Sequence, residues 1–299
     1  MKKTLSILIH IFVTLMFVGC QGNDELTTKP RLVVEGWIDD GGFPVVMLTT
    51  TVNISKEYQD LDSLQNHLLR WAKVTVSNGE ETIVLTGAPD REMFPPYTYS
   101  SAYMRGEAGK TYTMTAQYED FYAEASTTIP ASVPVDSFVI ERSAVSDTLY
   151  TVKAYFTDNS DTHDYYMFFT RVNGHTEYYL MSHFGVVDDA QTKNPVGVDI
   201  YPGTTLFDEE YVQQFHYGDT VYVKFAHIDE TSYNFWRDHE TAVMIGRNPL
   251  FPVINNLRSN IRGGLGYWFG YGAKEYRLFI PKNEKRVVIV HPSSLGLSN

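Results

Sequence analysis

Short stretches in which apolar and polar residues alternate recur at spacings near ten residues from position 31 onward. In one of them Val74 and Val76 point to one face of the chain and their polar neighbours to the other, as in a strand that covers a core on one side. An Asn-Gly pair at 78–79 follows and favours a tight hairpin. Several short strands joined by such turns predict a β-sandwich over residues 31–133.

A second region begins after the segment Pro130–Pro134, whose prolines cannot donate the hydrogen bonds of a sheet. A helix is predicted near residues 230–245, because Asp229 is a suitable N-cap and apolar residues follow at three- and four-residue spacing. Residues 134–299 are therefore interpreted as a second β-rich domain with one helical insertion, and the whole chain as mainly β. The strand candidates of this domain are Tyr150–Thr157, Tyr165–Val172, Thr176–Ser182, Thr220–His227, Tyr276–Pro281 and Arg286–Val290.

Composition agrees with β structure and argues against one class of partner. The 299 residues include 21 Tyr, 17 Phe and 4 Trp, and aromatic side chains favour half-buried pleated surfaces. Lys and Arg number 24 against 36 Asp and Glu, for a formal net charge of -12. Because nucleic-acid binding needs clustered basic side chains that displace phosphate counterions, no nucleic-acid partner is expected.

The N-terminus has the layout of an export signal. Two lysines precede an apolar run from Leu5 to Val18, which is too short and too interrupted to be a typical membrane-spanning helix. The only cysteine, Cys20, follows almost at once, and this arrangement resembles the lipobox of bacterial lipoproteins, although Phe17 stands where Leu is usual. An ordinary signal peptide with an incidental cysteine is the alternative.

The lipobox interpretation predicts a signal peptide over residues 1–19 and a lipidated Cys20 followed by a polar tether over residues 20–30. Several acyl chains on one residue would hold the protein firmly to a membrane, whereas one chain gives only marginal binding. The expected location is the outer membrane, at its periplasmic face or at the cell surface.

Several stretches carry a resemblance to a known family. They are 34–38 (VEGWI), 109–112 (GKTY), 218–221 (GDTV), 248–252 (NPLFP) and 259–266 (SNIRGGLG). They resemble uncharacterised lipoproteins of Bacteroidetes-type bacteria, which are described only as a domain of unknown function and are often encoded beside TonB-dependent outer-membrane receptors. The resemblance implies an envelope lipoprotein with an immunoglobulin-like N-terminal domain and a TonB-dependent receptor as partner, and it brings no catalytic residues.

The densest group of candidate metal ligands is the segment 158–164 (DNSDTHD). Closely spaced hard oxygens suit calcium, with Asp158, Asp161 and Asp164 as the candidate ligands. The EF-hand pattern fails, because its sixth position holds His163 rather than Gly and its twelfth holds Phe169 rather than Glu. A polar turn without a metal is therefore the favoured interpretation, and no cofactor is expected, with calcium as the alternative.

No catalytic signature is found in the sequence. The nine histidines show no zinc-binding spacing, and no G-x-S-x-G nucleophile elbow occurs. The acidic pairs Asp188-Asp189 and Glu209-Glu210 are interpreted as solvated turns rather than as the carboxylates of a glycosidase. No catalytic residue is assigned.

Glycines alternate with aromatic residues over 263–272. Phe269 stands where the dinucleotide-binding pattern needs glycine, so the segment is not interpreted as a phosphate loop. The preferred interpretation is a backbone with positive φ or close approach to a neighbour, with rings packed between the glycines. As a ring-rich loop, it would present Trp268 at a contact surface.

Tyrosines around Pro95-Pro96 form the other candidate contact surface. In a loop, Tyr97, Tyr99 and Tyr103 would offer rings that stack and form hydrogen bonds at low entropic cost. The leading functional hypothesis is a non-enzymatic accessory or binding lipoprotein of a TonB-dependent nutrient uptake system. A fimbria-like or adhesive surface lipoprotein is the alternative. A hydrolase whose active site carries no recognisable sequence motif is a third hypothesis.

Overall fold

A computed structural model describes residues 30–51, 67–203, 213–246 and 257–295. The predicted signal peptide, Cys20, the tether up to residue 29, Glu209-Glu210 and the stretch 248–252 lie outside these ranges. Within them the chain is mainly β with one α-helix, as predicted. The elements are β1 (Leu32–Asp39), β2 (Val45–Thr50), β3 (Lys73–Ser77), β4 (Thr82–Val84), β5 (Thr86–Pro89), β6 (Tyr97–Ser100), β7 (Thr111–Tyr118), β8 (Phe121–Thr128), β9 (Ser137–Arg142), β10 (Leu149–Phe156), β11 (Tyr165–Val172), β12 (Leu180–Asp188), β13 (Val196–Ile200), β14 (Phe215–His216), β15 (Thr220–Ile228), α1 (Glu230–Gly246), β16 (Leu265–Phe279) and β17 (Arg286–Val290).

The central element is an eight-stranded sheet with the order β12-β11-β15-β16-β1-β2-β6-β5. One of its halves packs against a four-stranded sheet, β4-β3-β7-β8, to form the N-terminal sandwich. The alternation that predicts these strands is seen in β7, where Tyr112, Met114 and Ala116 are buried and the residues between them are not. Sandwich packing of the N-terminal region is therefore confirmed.

The other half of the large sheet packs against a five-stranded sheet. Its order is β13-β10-β9-β17, with β14 paired to β10. The shared core is rich in rings, and Phe156 and Phe225 lie 4.6 Å apart between their centroids. Phe and Tyr side chains from both sheets fill this space, which accounts for much of the aromatic content.

Helix α1 covers the opposite face of the large sheet. Its start is fixed by Asp229, whose Oδ1 accepts a hydrogen bond from Ser232 N at 2.7 Å, as expected for the predicted N-cap. Phe235 and Trp236 of the helix pack against rings of β11 and β16. The helical insertion near 230–245 is thus confirmed.

Strand β16 corrects the prediction of a glycine loop. The segment is a fifteen-residue strand whose even-numbered residues, such as Trp268, face the smaller sheets and whose odd-numbered residues face α1. The expected backbone is nevertheless present: Gly263 and Gly266 have φ of 82° and 98°. A Cβ on Gly270 would lie 2.9 Å from Ile129, so a chain segment crosses this face too closely for a side chain. The glycines permit a strand here rather than interrupt one.

Strand β16 also joins the two halves of the chain. It pairs in parallel with β1, from Val33 opposite Leu265, and antiparallel with β15. One sheet therefore runs through both predicted domains, while the boundary between 31–133 and 134–299 stays a prediction.

The strand predicted over Thr176–Ser182 begins later, at Leu180. A turn with Gly174 at φ 81° leads into an irregular segment, so Tyr178 and Tyr179 precede the strand and are half-buried. The connection between β11 and β12 is longer than the sequence pattern indicates, because β12 pairs with β11 only from Leu180 onward.

Candidate functional site

Acidic and imidazole side chains converge where β11, β12 and β15 meet at one end of the large sheet. Tyr165, at the start of β11, pairs with Asp188 of β12 on one side and with Ile228 of β15 on the other. The loop between β10 and β11 lies beside these ends and adds three further side chains. The group, called the acidic cluster below, consists of Asp158, His163, Asp164, Asp188 and Asp189.

The outer part of the acidic cluster is held by hydrogen bonds. His163 Nε2 lies 2.8 Å from Asp188 Oδ1, and this carboxylate raises the pKa of His163. Burial acts to raise the pKa of Asp188, but hydrogen bonds from His163, Gln191 and the Ala190 amide outweigh it and hold that pKa below its ordinary value. Both oxygens of Asp188 are thereby occupied.

The inner part is less satisfied. Asp158 accepts a hydrogen bond from the Tyr166 hydroxyl, and Asp189 Oδ2 accepts one from Asp164 N at 2.9 Å. Asp189 Oδ1 is buried without a hydrogen-bond partner among the described residues, and its side chain is 8% exposed. Burial raises the pKa of Asp158, the Tyr166 hydrogen bond lowers it, and the carboxylates of Asp189 and Asp164 raise it further.

Asp164 completes the inner part. Its Oδ1 lies 3.3 Å from His227 Nε2, while His227 Nδ1 lies 2.8 Å from Ala131 O. One ligand atom each from Asp158, Asp164 and Asp189 lie within 4.8 Å of one another, and the same holds for His163, Asp188 and Asp189. Ionised carboxylates only accept hydrogen bonds, so such a group needs a shared proton or a cation between its members.

The inner part of the acidic cluster differs from the predicted set of three ligands by one exchange. Asp158 and Asp164 of the predicted segment are brought together, whereas Asp161 is exposed and lies outside the groups of ligand atoms. Asp189 takes the third place, so its interpretation as a solvated turn is wrong: the turn exists, but the carboxylate points into the protein.

A family model described as "Domain of unknown function (DUF4249)" matches residues 22–277. The chain belongs to this family. The match begins two residues after Cys20 and ends within β16, so the DUF4249 region includes the acidic cluster and every strand from β1 to β15. A search among curated proteins found no match.

The four aromatic residues predicted as contact surfaces of this DUF4249 chain differ in their exposure to solvent. Trp268 is fully buried and its Nε1 donates to Tyr112 O at 3.0 Å, while Tyr99 is 2% exposed. Both lie in the N-terminal core and present no ring to solvent. Tyr97 is half-buried, and Tyr103 is 88% exposed.

Tyr97 and Tyr99 position an exposed tryptophan that lies just ahead of β3. Tyr99 Oη donates to Leu69 O at 2.6 Å and accepts from Ala72 N at 3.0 Å, while Tyr97 Oη donates to Arg70 O at 2.9 Å. Trp71, between these anchor points, is 88% exposed. Trp71 therefore offers a large ring to solvent on a backbone that two tyrosine hydroxyls hold in place.

In the part of the DUF4249 chain that the structure describes, none of the helices is long and apolar enough to span a bilayer. Lipidation of Cys20 stays a prediction, since this residue lies outside the described ranges.

Proposed function

We propose that the protein is a non-enzymatic lipoprotein of the cell envelope that binds beside a TonB-dependent receptor and assists nutrient uptake. The observation that carries the proposal is the position of Cys20. It is the only cysteine, it follows an apolar run and a glycine, and it stands directly ahead of the DUF4249 region. A lipid on Cys20 would thus be attached two residues before the start of the DUF4249 region.

The residues proposed for partner binding are Trp71 and Tyr103, each of which offers an exposed ring. Both are 88% exposed, and Trp71 is fixed through the backbone contacts of Tyr97 and Tyr99. Exposed aromatic rings with little conformational freedom contribute strongly to binding, because little entropy is lost when they are covered.

Anchoring is tested by mass spectrometry of the mature protein extracted from membranes. We expect a chain that starts at Cys20 and carries acyl groups, and we expect the Cys20→Ser variant to lack them. An unacylated wild-type chain in the soluble fraction would contradict the anchoring step while leaving the binding surface open to test.

Partner binding is tested by co-purification after mild detergent extraction. We expect a β-barrel receptor to accompany the wild-type protein, and Trp71→Ala or Tyr103→Ala to reduce its recovery about tenfold or more. Val145→Ala is the matched control, because Val145 is 91% exposed on the other sandwich. Unchanged recovery with both aromatic variants would overturn the proposed surface, and filaments seen by negative-stain microscopy would favour the adhesive alternative.

A further inference from the structure

The inner part of the acidic cluster contains one carboxylate oxygen that accepts no hydrogen bond from the residues that the structure describes. Asp189 Oδ1 is buried and has no hydrogen-bond partner among the described residues. Its side chain is 8% exposed, so water has little access to it. A charged oxygen that lacks a hydrogen bond in such a place is costly and calls for a ligand.

The surroundings of this oxygen are acidic rather than basic. Carboxylate oxygens of Asp158 and Asp164 lie within 4.8 Å of a carboxylate oxygen of Asp189. The imidazole nearest to Asp189 Oδ1 is His163, whose Nε2 lies 3.6 Å away and is already bonded to Asp188. His227 faces Asp164 rather than the unpaired oxygen. Two imidazoles therefore face four carboxylates, and neither imidazole is within hydrogen-bond distance of Asp189 Oδ1.

The chemistry of the three inner oxygens points to one class of ion. Carboxylate oxygens within 4.8 Å of one another can share a single cation, and three protein carboxylates suit Ca²⁺ better than Mg²⁺, which keeps several waters and is usually bound through one or two carboxylates. Three hard carboxylate oxygens suit Ca²⁺, whereas zinc prefers nitrogen and sulfur in a tighter tetrahedron. We propose that Asp158, Asp164 and Asp189 bind a single Ca²⁺ ion, with water in its remaining coordination positions.

This site goes beyond the proposed function and does not depend on it. Calcium would link the loop between β10 and β11 to the turn after β12, because Asp158 and Asp164 belong to the former and Asp189 to the latter. The ion would also remove the repulsion among the three carboxylates, and the loop would thereby be fixed to the sheet edge.

The test is calorimetric titration of the full chain in detergent at pH 7.5 with CaCl₂, after removal of metals with a chelator. We expect one ion per chain with a dissociation constant of about 1 mM or lower, and a calcium-dependent rise in the melting temperature. MgCl₂ and ZnCl₂ are titrated in parallel. If neither binding heat nor a change in melting temperature is seen at about 10 mM CaCl₂, ten times the expected dissociation constant, the proposal is overturned. A proton shared among the three carboxylates would then explain why they lie so close together.

The decisive variant is Asp189→Asn, which keeps an oxygen for the Asp164 amide but removes one charge. We expect it to lose calcium binding by at least about 30-fold and to be more stable than the wild type in the absence of calcium. A purely structural role for Asp189 predicts the opposite change in stability. Asp158→Asn serves as a second variant if the first does not fold.

Asp161→Asn is the matched control, because Asp161 belongs to the same loop but not to the three inner ligands. We expect it to bind calcium within about twofold of the wild type. Equal loss in Asp161→Asn and Asp189→Asn would overturn the assignment of ligands. Tighter zinc than calcium binding, abolished by His163→Ala, would overturn calcium as the ion.

Discussion

Lys224 Nζ lies 2.6 Å from one carboxylate oxygen of Asp39 and 2.7 Å from the other, in a pair whose side chains are 7% and 11% exposed. Asp39 ends β1 and Lys224 is in the middle of β15, on opposite sides of β16. The ammonium also lies 5.1 Å from the centroid of the Tyr271 ring. The pair thus connects the N-terminal half of the large sheet to its C-terminal half.

The Lys224–Asp39 pair predicts strongly non-additive stability changes. Lys224→Met or Asp39→Asn alone should cost about 3–5 kcal/mol, because each leaves a buried charge without its partner. The double variant Asp39→Asn/Lys224→Met should cost much less than the sum of the two single changes. Denaturant unfolding of the four proteins measures this coupling, and additive costs would show that the two charges do not depend on one another.

Gly266 predicts the effect of a close backbone approach. A Cβ there would lie 1.9 Å from Val34 O, and φ is 98°. Gly266→Ala should therefore destabilise the protein by well over the roughly 1–2 kcal/mol that a left-handed backbone costs an L-residue. Gly79→Ala is the matched control, because Gly79 has φ of 88° but nothing within 4 Å of the added atom.

In thermal unfolding we expect the wild type to have the highest melting temperature, Gly79→Ala a lower one and Gly266→Ala the lowest. Equal melting temperatures for the two variants would mean that β16 can shift away from β1 without loss.

Glu35 predicts a pH dependence of stability. Burial raises its pKa from an ordinary value of 4.5 to about 7. The folded protein therefore holds the proton more tightly than the unfolded chain, and the free energy of unfolding falls as pH rises from about 4.5 to about 7. The loss from this group is at most about 3 kcal/mol, and Glu35→Gln should remove it.

Denaturant unfolding at pH 5 and pH 8 checks the sign for Glu35. We expect the wild type to lose more stability than Glu35→Gln over this interval. A Gln variant with the same pH dependence as the wild type would place the titration on another group.

Removal of the hydroxyl group should lower the free energy of unfolding at Tyr99 and leave it almost unchanged at Tyr103. Tyr99→Phe removes the two hydrogen bonds that the Tyr99 hydroxyl makes with the segment 69–72 and leaves Leu69 O and Ala72 N without these partners, at a cost of about 1–3 kcal/mol. Tyr103→Phe changes an exposed residue and should stay within about 0.5 kcal/mol. Chemical denaturation with tryptophan fluorescence follows both, and a large cost for Tyr103→Phe would reveal a contact that burial does not indicate.

Most strands can be predicted from the alternation of apolar and polar residues and from the turn residues beside them, because both signals lie within a few residues of the strand itself. Tyr165–Val172 and Arg286–Val290 have the same bounds in the structure as in the prediction. The end of β16 overlaps the predicted strand Tyr276–Pro281, but its first part is missed because its glycines are typical of a loop until the neighbours are known. Val34 O and Ile129 leave no space for side chains there. Those neighbours come from the other half of the chain.

The acidic cluster is half predicted for the same reason. Asp158 and Asp164 lie six residues apart and form a visible pattern, whereas Asp189 lies on a different strand end and joins them only through the pairing of β11 with β12. The burial of Tyr99 and Trp268 likewise follows from the packing of two sheets and not from their sequence neighbours.

The parallel pairing of β1 with β16 has a consequence for the order of folding. A ribosome must have released nearly the whole chain before β1 acquires the neighbour on its β16 side, since Val33 pairs with Leu265. Contacts that distant in sequence slow folding and leave an unpaired strand edge while synthesis continues. Strand β1 therefore keeps one edge without its partner until about the last eighth of the chain has been made, and N-terminal fragments that end before Leu265 lack the strand that covers it.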